Sequence, residues 1–251
     1  MPRINKRLRI IAGPNGSGKS TFIDKLRQNY DCGVYINTDE LEKGLRDKHY
    51  INLTDYHVEA VSENFEQFLN SDNSQSLIQK AKEEGIVISL SFKENILLSG
   101  EKTNSYEAAL AGEFIKNCLL VSGELFTFET VMSHSSKLDF MRKAKELGYK
   151  IYVYFISTES VEINIRRVAQ RVQKKGHNVE EGRIRSRFIN TQKLLSQIIP
   201  LTHRTFLFDN SKEDDPLKIV AEIYTGKELK VETDDVPSWV YEYVLVPLGF
   251  I

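Results

Sequence analysis

The feature that most constrains the fold is a glycine-rich segment at residues 13–21, which reads GPNGSGKST. It follows an apolar run at residues 8–12 and precedes a stretch that favours a helix. The pattern G-x-x-x-x-G-K-S between a strand and a helix is typical of a P-loop, in which backbone N–H groups surround a polyphosphate. A glycine-rich turn that binds nothing is the alternative, and the complete motif in this context argues against it.

The P-loop motif assigns a role to each of its residues. We expect Lys19 to reach the β- and γ-phosphate oxygens and the hydroxyl of Ser20 to be a ligand of Mg²⁺. The residues expected to contact the nucleotide are Gly13, Pro14, Asn15, Gly16, Ser17, Gly18, Lys19, Ser20 and Thr21.

Short apolar segments alternate with amphipathic segments along the chain, which predicts an α/β fold with a parallel sheet. The predicted strands end at residues 12, 36, 128, 156 and 208, and a short helix is expected at residues 216–224. The fold class is therefore a three-layer P-loop NTPase sandwich around a parallel five-stranded sheet with the P-loop strand at its centre. We interpret residues 1–251 as one kinase-like domain with an inserted excursion at 74–104, which contains a strand at 86–92, and a C-terminal extension at 225–251 that ends in a helix carrying Trp239, Tyr243 and Val246.

Two carboxylates follow predicted strands, where open α/β sheets place their chemistry. Asp39 lies in the first turn of a helix that Asn37 is expected to cap, and Glu129 ends the strand at 125–128. For Asp39 two interpretations stay open: an acid that favours the positive end of a helix dipole, or a carboxylate that takes part in the reaction.

Basic residues concentrate in two predicted helices within residues 158–199. The apolar positions, which include Val168 and Val172, predict that Arg171 points outward from the first helix, and Arg187 is expected on an exposed face of the second. We interpret the pair as a lid that closes over phosphates by bending at Gly176. A solvated basic face is the alternative.

The overall composition limits the classes of function. The 251 residues carry a net charge of -1, which argues against a nucleic-acid binder, and the apolar N-terminal run is too short for a signal peptide or a membrane span. Cys32 and Cys118 lie far apart without metal-ligand spacing, which fits a reducing compartment. We therefore expect a soluble cytoplasmic protein.

Several separated segments together resemble the zeta-toxin family of P-loop kinases. The segments are AGPNGSGKST at 12–21, INTDE at 36–40, FETVMSH at 128–134, RVQKKGH at 171–177, RIRSRF at 183–188 and LFDNS at 207–211. The resemblance covers residues 9–224 apart from the excursion at 74–104.

The resemblance implies a kinase that uses ATP and Mg²⁺ to phosphorylate a hydroxyl of a nucleotide-activated sugar, UDP-N-acetylglucosamine in characterised members. It implies that Lys19 holds phosphates, that Asp39 is the general base, and that Arg171 and Arg187 reach the transferred phosphate. Asp39, Glu129, Thr130 and His134 would contact the acceptor. Family members that poison cells are inhibited by a small helical antitoxin, so a protein partner of that kind is a further expectation.

Three other functions fit part of the sequence. One is another small-molecule or nucleoside-monophosphate kinase, which would differ only in the acceptor pocket. Another is an ATP-dependent switch or binding protein, against which the two strand-end carboxylates argue. A third is a kinase for nucleic-acid ends, which would need a basic groove beyond the lid.

Overall fold

The computed structural model describes residues 6–174, 178–212 and 217–251. The chain divides into two compact units. The first consists of Met1–Cys32 with Thr127–Ile251, and the second of Gly33–Phe126. The predicted excursion at 74–104 lies inside the second unit.

The secondary structure alternates as the sequence indicates. The strands are β1 (Arg7–Ala12), β2 (Val34–Ile36), β3 (Tyr50–Asn52), β4 (Ser91–Lys93), β5 (Ile96–Leu98), β6 (Phe126–Thr130), β7 (Lys150–Ser157), β8 (Arg204–Asp209), β9 (Lys218–Tyr224) and β10 (Glu228–Val231). The α-helices are α1 (Lys19–Asn29), α2 (Thr38–Lys48), α3 (Ser62–Leu69), α4 (Asp72–Glu83), α5 (Ser105–Ser122), α6 (Ser136–Glu146), α7 (Val161–Gln173), α8 (Glu181–Lys193), α9 (Leu195–Ile198) and α10 (Ser238–Val240).

The first unit is built on a large, mostly parallel sheet. Its strands follow the order β10-β9-β8-β7-β1-β6, so the P-loop strand β1 lies between β7 and β6. β1 pairs parallel with β7, and β7 pairs parallel with β8. Side chains such as Ile10, Val153 and Leu207 are fully buried in these strands. The predicted α/β class with a central parallel sheet is confirmed.

The sheet contains more strands than the five predicted. The expected helix at 216–224 is wrong, because residues 218–224 form β9, antiparallel to β8, and Pro216 lies outside the described residues. The β-branched Ile219, Val220 and Ile223 favour this extended pairing over a short helix. β10 then pairs antiparallel with β9 inside the C-terminal extension.

The C-terminal extension ends as a turn of α10 followed by a π-helical turn at Tyr241–Leu245. The expected packing of Trp239 is confirmed, since its side chain is only 2% exposed. Val246 was expected on the same buried face and is exposed instead, because the wider π turn shifts Val244 and Leu245 inward.

The second unit contains α2 to α5 and a small antiparallel sheet in the order β3-β5-β4. The expected strand at 86–92 is largely wrong: only Ser91–Lys93 pairs, in a hairpin with β5 whose turn residues Glu94 and Asn95 adopt positive φ. A 3₁₀ turn at Leu53–Tyr56 precedes α3. Aromatic rings of Phe65, Phe68, Phe92 and Phe114 form this unit's core cluster.

Candidate active site

The P-loop connects β1 to α1, and three of its glycines adopt positive φ. A Cβ atom at Gly16 would lie 2.6 Å from the carbonyl oxygen of Asn164. At Gly13 and Gly18 it would come still closer, to the carbonyl oxygen of Ile156 and to the amide nitrogen of Asn210 respectively. Glycine is thus required here by backbone conformation and by close approach.

Two asparagine side chains from different segments hold the loop in place. The Nδ2 of Asn164, in α7, donates to the carbonyl oxygen of Asn15 at 2.6 Å, and the Nδ2 of Asn210, after β8, donates to that of Ser17 at 2.8 Å. Asn164 is fully buried, and its Oδ1 accepts a short hydrogen bond from the hydroxyl of Thr158. Because these carbonyl oxygens already accept hydrogen bonds from the protein, the N–H groups of the loop remain available to a ligand.

Lys19 and Ser20 open α1 at the positive end of its dipole. The Nζ of Lys19 donates to the carbonyl oxygens of Gly13 and Pro14, at 2.9 and 3.0 Å, so the ammonium group lies across the loop. The hydroxyl of Ser20 donates to Oε2 of Glu129 at 3.2 Å. A hydroxyl, a carboxylate and an ammonium group therefore converge at the start of α1.

Glu129 reaches the P-loop because it lies at the end of β6, beside β1 in the sheet. The other two predicted acceptor contacts after β6 have local partners. The Oγ1 of Thr130 accepts from the backbone N–H of Met132 at 3.0 Å, in a turn where buried Met132 has a positive φ. The Nδ1 of exposed His134 accepts from the backbone N–H of Ser136 at 3.2 Å, at the start of α6. Their predicted role as acceptor contacts stays a prediction.

The faces of the lid helices differ from the prediction. In α7 the inward face carries Asn164, Arg167, Val168 and Arg171, whereas Val172 is 36% exposed. The expectation that Val172 is buried and Arg171 turned outward is therefore wrong. These positions follow the i, i+3, i+4, i+7 spacing of one helical face, which hydropathy alone assigns incorrectly because three of the four side chains are polar.

α8 follows the same spacing, with Ile184, Phe188 and Thr191 buried and Arg187 half-buried among them. The Nη1 of Arg187 donates to Oδ1 of Asn15 in the P-loop at 3.3 Å. Arg187 therefore contacts the loop in this structure. Gly176 lies outside the described residues, so the predicted closure at this glycine stays a prediction.

Hydrogen bonds hold α8 against the strand ends of the first unit. Thr191 donates from its hydroxyl to the carbonyl oxygen of Val131 at 2.9 Å, and Gln192 donates from Nε2 to the hydroxyl of Ser157 at 3.1 Å. The two lid helices are themselves joined by Arg185, which lies 2.9 Å from both Glu162 in α7 and Glu181 in α8. Hydrogen bonding to Arg185 lowers the pKa of Glu162.

Another arginine of α7, Arg167, bonds to the turn after β8. Its Nη1 donates to the carbonyl oxygen of Asn210, whose side chain lies against Gly18, at 2.7 Å. Sequence patterns place Arg167 on the outward basic face of this helix, together with Arg171, and they do not single out Asn164 or Asn210 as site residues. The one available signal was the placement of Asn210 in the strand-end segment at 207–211.

Asp39 belongs to the second unit, where it lies in the first turn of α2. The predicted cap is confirmed, because Oδ1 of Asn37 accepts from the backbone N–H of Asp39 at 2.9 Å. Its general-base role stays a prediction.

Two kinds of feature are absent from the described parts of the chain. No helix there is long and apolar enough to cross a membrane. No group of three or more His, Cys, Asp or Glu side chains in those same residues is arranged to hold a metal ion.

Comparison with known proteins identifies the fold. No model of a protein family matches the sequence. An uncharacterized protein of Haemophilus influenzae is 33% identical over 63 residues, which are 25% of this chain and 45% of that protein. The crystal structure of AvrRxo1-ORF1:AvrRxo1-ORF2 with sulphate ions matches at a TM-score of 0.57 and 16% identity, over 97% of this chain and 64% of that chain.

The AvrRxo1-ORF1:-ORF2 structure with ATP gives a TM-score of 0.53 at 16% identity and the same coverage. A structure from the PezAT chromosomal toxin-antitoxin system of Streptococcus pneumoniae gives 0.45 at 13% identity, over 97% of this chain and 85% of that chain. The chain thus spans less than two thirds of the AvrRxo1 chain and under half of the Haemophilus influenzae protein. The fold agrees with the resemblance to zeta-toxin-type P-loop kinases.

Proposed function

We propose that the protein is an ATP-dependent kinase that transfers the γ-phosphate to a hydroxyl group of a small molecule. The observation that carries this proposal is the convergence of Lys19, Glu129 and Arg187 on one P-loop within the first unit. Phosphoryl transfer depends on positioning and charge neutralisation, and these groups supply both. An arginine from a separate helix at the loop suits the stabilisation of charge during transfer.

The arginines of the lid helices would neutralise charge on the transferred phosphoryl group. Arg187 donates a hydrogen bond to the side chain of Asn15. Arg171 shares the inward face of α7 with Asn164, which itself bonds to the loop. A planar guanidinium group matches two phosphoryl oxygens at once, so arginine suits this position better than lysine.

The oxygens of Ser20 and Glu129 fit Mg²⁺, which prefers hard oxygen ligands and uses one or two carboxylates together with phosphates and water. We therefore assign Glu129 to the metal side of the site, in addition to its predicted acceptor contact. Bound Mg²⁺ would neutralise charge on the β- and γ-phosphates. The protein's own part is to hold these two oxygens in place at the start of α1.

We propose Asp39 as the general base that accepts the proton of the acceptor hydroxyl, as the resemblance implies. The first acceptor to examine is UDP-N-acetylglucosamine, and the alternative is another small-molecule or nucleotide acceptor. Thr130 and His134 would contact that acceptor beyond the end of β6.

The test is an ATP-consumption screen of purified protein with Mg²⁺ against UDP-sugars, free sugars and nucleotides. Asp39→Asn serves as the blank, since it retains the P-loop. Acceptor-dependent ADP release by the wild type, absent in the blank, supports the kinase. Slow ATP hydrolysis that no acceptor stimulates, at equal rates in both proteins, would support a switch protein and refute the kinase.

A small protein partner is part of the same proposal. The matched AvrRxo1-ORF1 structures are complexes with AvrRxo1-ORF2, and the zeta-toxin resemblance implies an antitoxin. Co-expression with the product of the adjacent reading frame, followed by size-exclusion chromatography and an activity assay, tests it. A partner that inhibits ATP consumption would support the proposal.

A further inference from the structure

The C-terminal extension builds one wall of a cavity of about 750 Å³ in the first unit. The wall consists of residues 235–238 with Tyr241 and Glu242, and the opposite side is formed by the turn after β8, including Asn210 and Ser211, and by Val220 of β9. The volume lies within the range of pockets that hold small ligands. The P-loop motif does not account for this cavity.

The wall is fixed in place rather than loosely laid over the sheet. Ser238 donates to Oε1 of Glu159 from its backbone N–H at 3.2 Å and also from its hydroxyl. The Nε1 of Trp239 donates to Oδ1 of Asp209 at 3.4 Å, and its ring lies 5.6 Å from that of Phe155. The cavity is therefore preformed, which lowers the entropy cost of binding a ligand.

The cavity adjoins the P-loop through Asn210. This residue lines the cavity, and its amide also bonds to Ser17 and lies against Gly18. A nucleotide whose phosphates occupy the P-loop must place its nucleoside beside the loop, and the cavity begins one side chain away.

The lining suits a nucleoside better than a second phosphate. Among the described residues, four carboxylates and two lysines line it: Glu159, Asp209, Asp235 and Glu242, with Lys212 and Lys218. This excess of negative charge repels phosphate, whereas carboxylate oxygens accept hydrogen bonds from ribose hydroxyls and from an amino group of a base. Val236 and Pro237 add apolar surface, and Tyr241, at 55% exposure, offers an aromatic ring.

We infer that the C-terminal extension forms the nucleoside end of the nucleotide site, with the base packed against Tyr241. The inference rests on the proposed use of ATP and extends it to a segment that the motif-based assignment does not include. It predicts that the extension contributes to ATP affinity and contributes nothing to the binding of a bare polyphosphate.

Isothermal titration calorimetry with ATP and with inorganic tripolyphosphate, both with Mg²⁺, tests this division. For Tyr241→Ala we expect the Kd for ATP to rise at least about fivefold, the lower end for loss of a base-stacking ring. The Kd for tripolyphosphate should stay within about twofold. Tyr241→Phe retains the ring and should bind ATP nearly as wild type, and Tyr30→Ala is the matched control, since Tyr30 is 62% exposed at the end of α1.

A second measurement uses the wild-type protein, so it does not depend on how a variant folds. Photolysis with 8-azido-ATP, which reacts from the base, should label peptides that contain residues 235–242. Labelling confined to other peptides, or an equal loss of ATP and tripolyphosphate binding in Tyr241→Ala, would overturn the inference.

The kinase proposal fails by a different result. ATP binding and labelling at 235–242 without transfer to any acceptor would refute the kinase and leave the nucleoside site standing. Acceptor phosphorylation by the wild type, with unchanged ATP affinity in Tyr241→Ala, would support the kinase and refute the nucleoside site.

Discussion

Asn164 gives the sharpest test of how the P-loop is held. Its fully buried amide donates to the carbonyl oxygen of Asn15 at 2.6 Å, and its other terminal atom accepts from Thr158. Asn164→Ala removes both bonds. Thr158 keeps an alternative partner, the carbonyl oxygen of Ser160 at 3.0 Å, so the carbonyl oxygen of Asn15 bears most of the loss.

The loss of these hydrogen bonds affects both the free energy of unfolding and the affinity for ATP. A buried polar group left without its bond costs about 1–3 kcal/mol, so we expect the free energy of unfolding to fall by about that amount. The hydrogen bond from Asn164 to Asn15, worth about 1 kcal/mol net, also lowers the free energy of the ordered loop relative to its other conformations. The Kd for ATP should accordingly rise about five- to tenfold, since 1.4 kcal/mol corresponds to a factor of ten.

Asn164→Asp tests the loss of the hydrogen bond to Asn15 without a change in side-chain volume. The carboxylate retains the acceptor for Thr158 but turns an oxygen toward the carbonyl oxygen of Asn15, so the Kd for ATP should rise further than in the alanine variant. Protonation restores a donor, and the affinity should therefore recover partly as the pH falls through the pKa of the new carboxyl group.

Thermal denaturation and ATP titration of both variants measure these effects. Asn190→Ala is the control: this exposed asparagine of α8 bonds to Ser186 of its own helix at 3.4 Å, so both quantities should change little. An unchanged Kd for ATP in Asn164→Ala, alongside a lower melting temperature, would show that Asn164 is only a core residue.

Four further outcomes follow. Lys19→Ala should abolish phosphate transfer in the ATP-consumption assay, and retained transfer would remove Lys19 from the mechanism. Asp39→Asn should lower kcat by about 10²–10⁴-fold with ATP binding nearly intact, as for loss of a general base; weaker ATP binding at unchanged kcat would make Asp39 a nucleotide or metal ligand instead. Arg171→Ala and Arg187→Ala should each lower kcat by about 10²-fold or more with little change in acceptor KM, and lysine at either position should restore kcat only in part. Arg183→Ala, at an exposed position of α8, is the control and should have little effect. Near wild-type kcat in both alanine variants would mean that these arginines belong to a solvated basic face. Burial raises the pKa of Cys118 to about 11, so its alkylation by iodoacetamide at pH 8 should be much slower than that of a free thiol, and equal rates would contradict the burial.

The sequence predicts the elements with strong local signals and misses those that depend on partners. The P-loop, the α1 helix and the cap at Asn37 follow from local chemistry and are found as expected. β9 was missed because a short window of sequence does not reveal the antiparallel pairing with β8, although the β-branched side chains of residues 218–224 suit a strand.

The same reason explains the error in the lid. Hydropathy places Val172 inside and Arg171 outside, because it assumes that a buried helical face is apolar. Here α7 packs against carbonyl oxygens of the P-loop and of the turn after β8, and Asn164 and Arg167 donate to these oxygens, which valine cannot do. Only the fold shows what the helix faces.

Two of the P-loop glycines also limit the chain length between β7 and α7. Gly13 lies against Ile156 at the end of β7, and Gly16 lies against Asn164 in α7. The seven residues between these two positions must therefore span a fixed distance. One residue inserted within the helical part, at 161–163, would turn Asn164 by about 100° around the helix axis relative to the start of α7 and move it by about 1.5 Å, away from the loop. The length of the segment between Ile156 and Asn164 therefore fixes where Asn164 meets the P-loop in this protein.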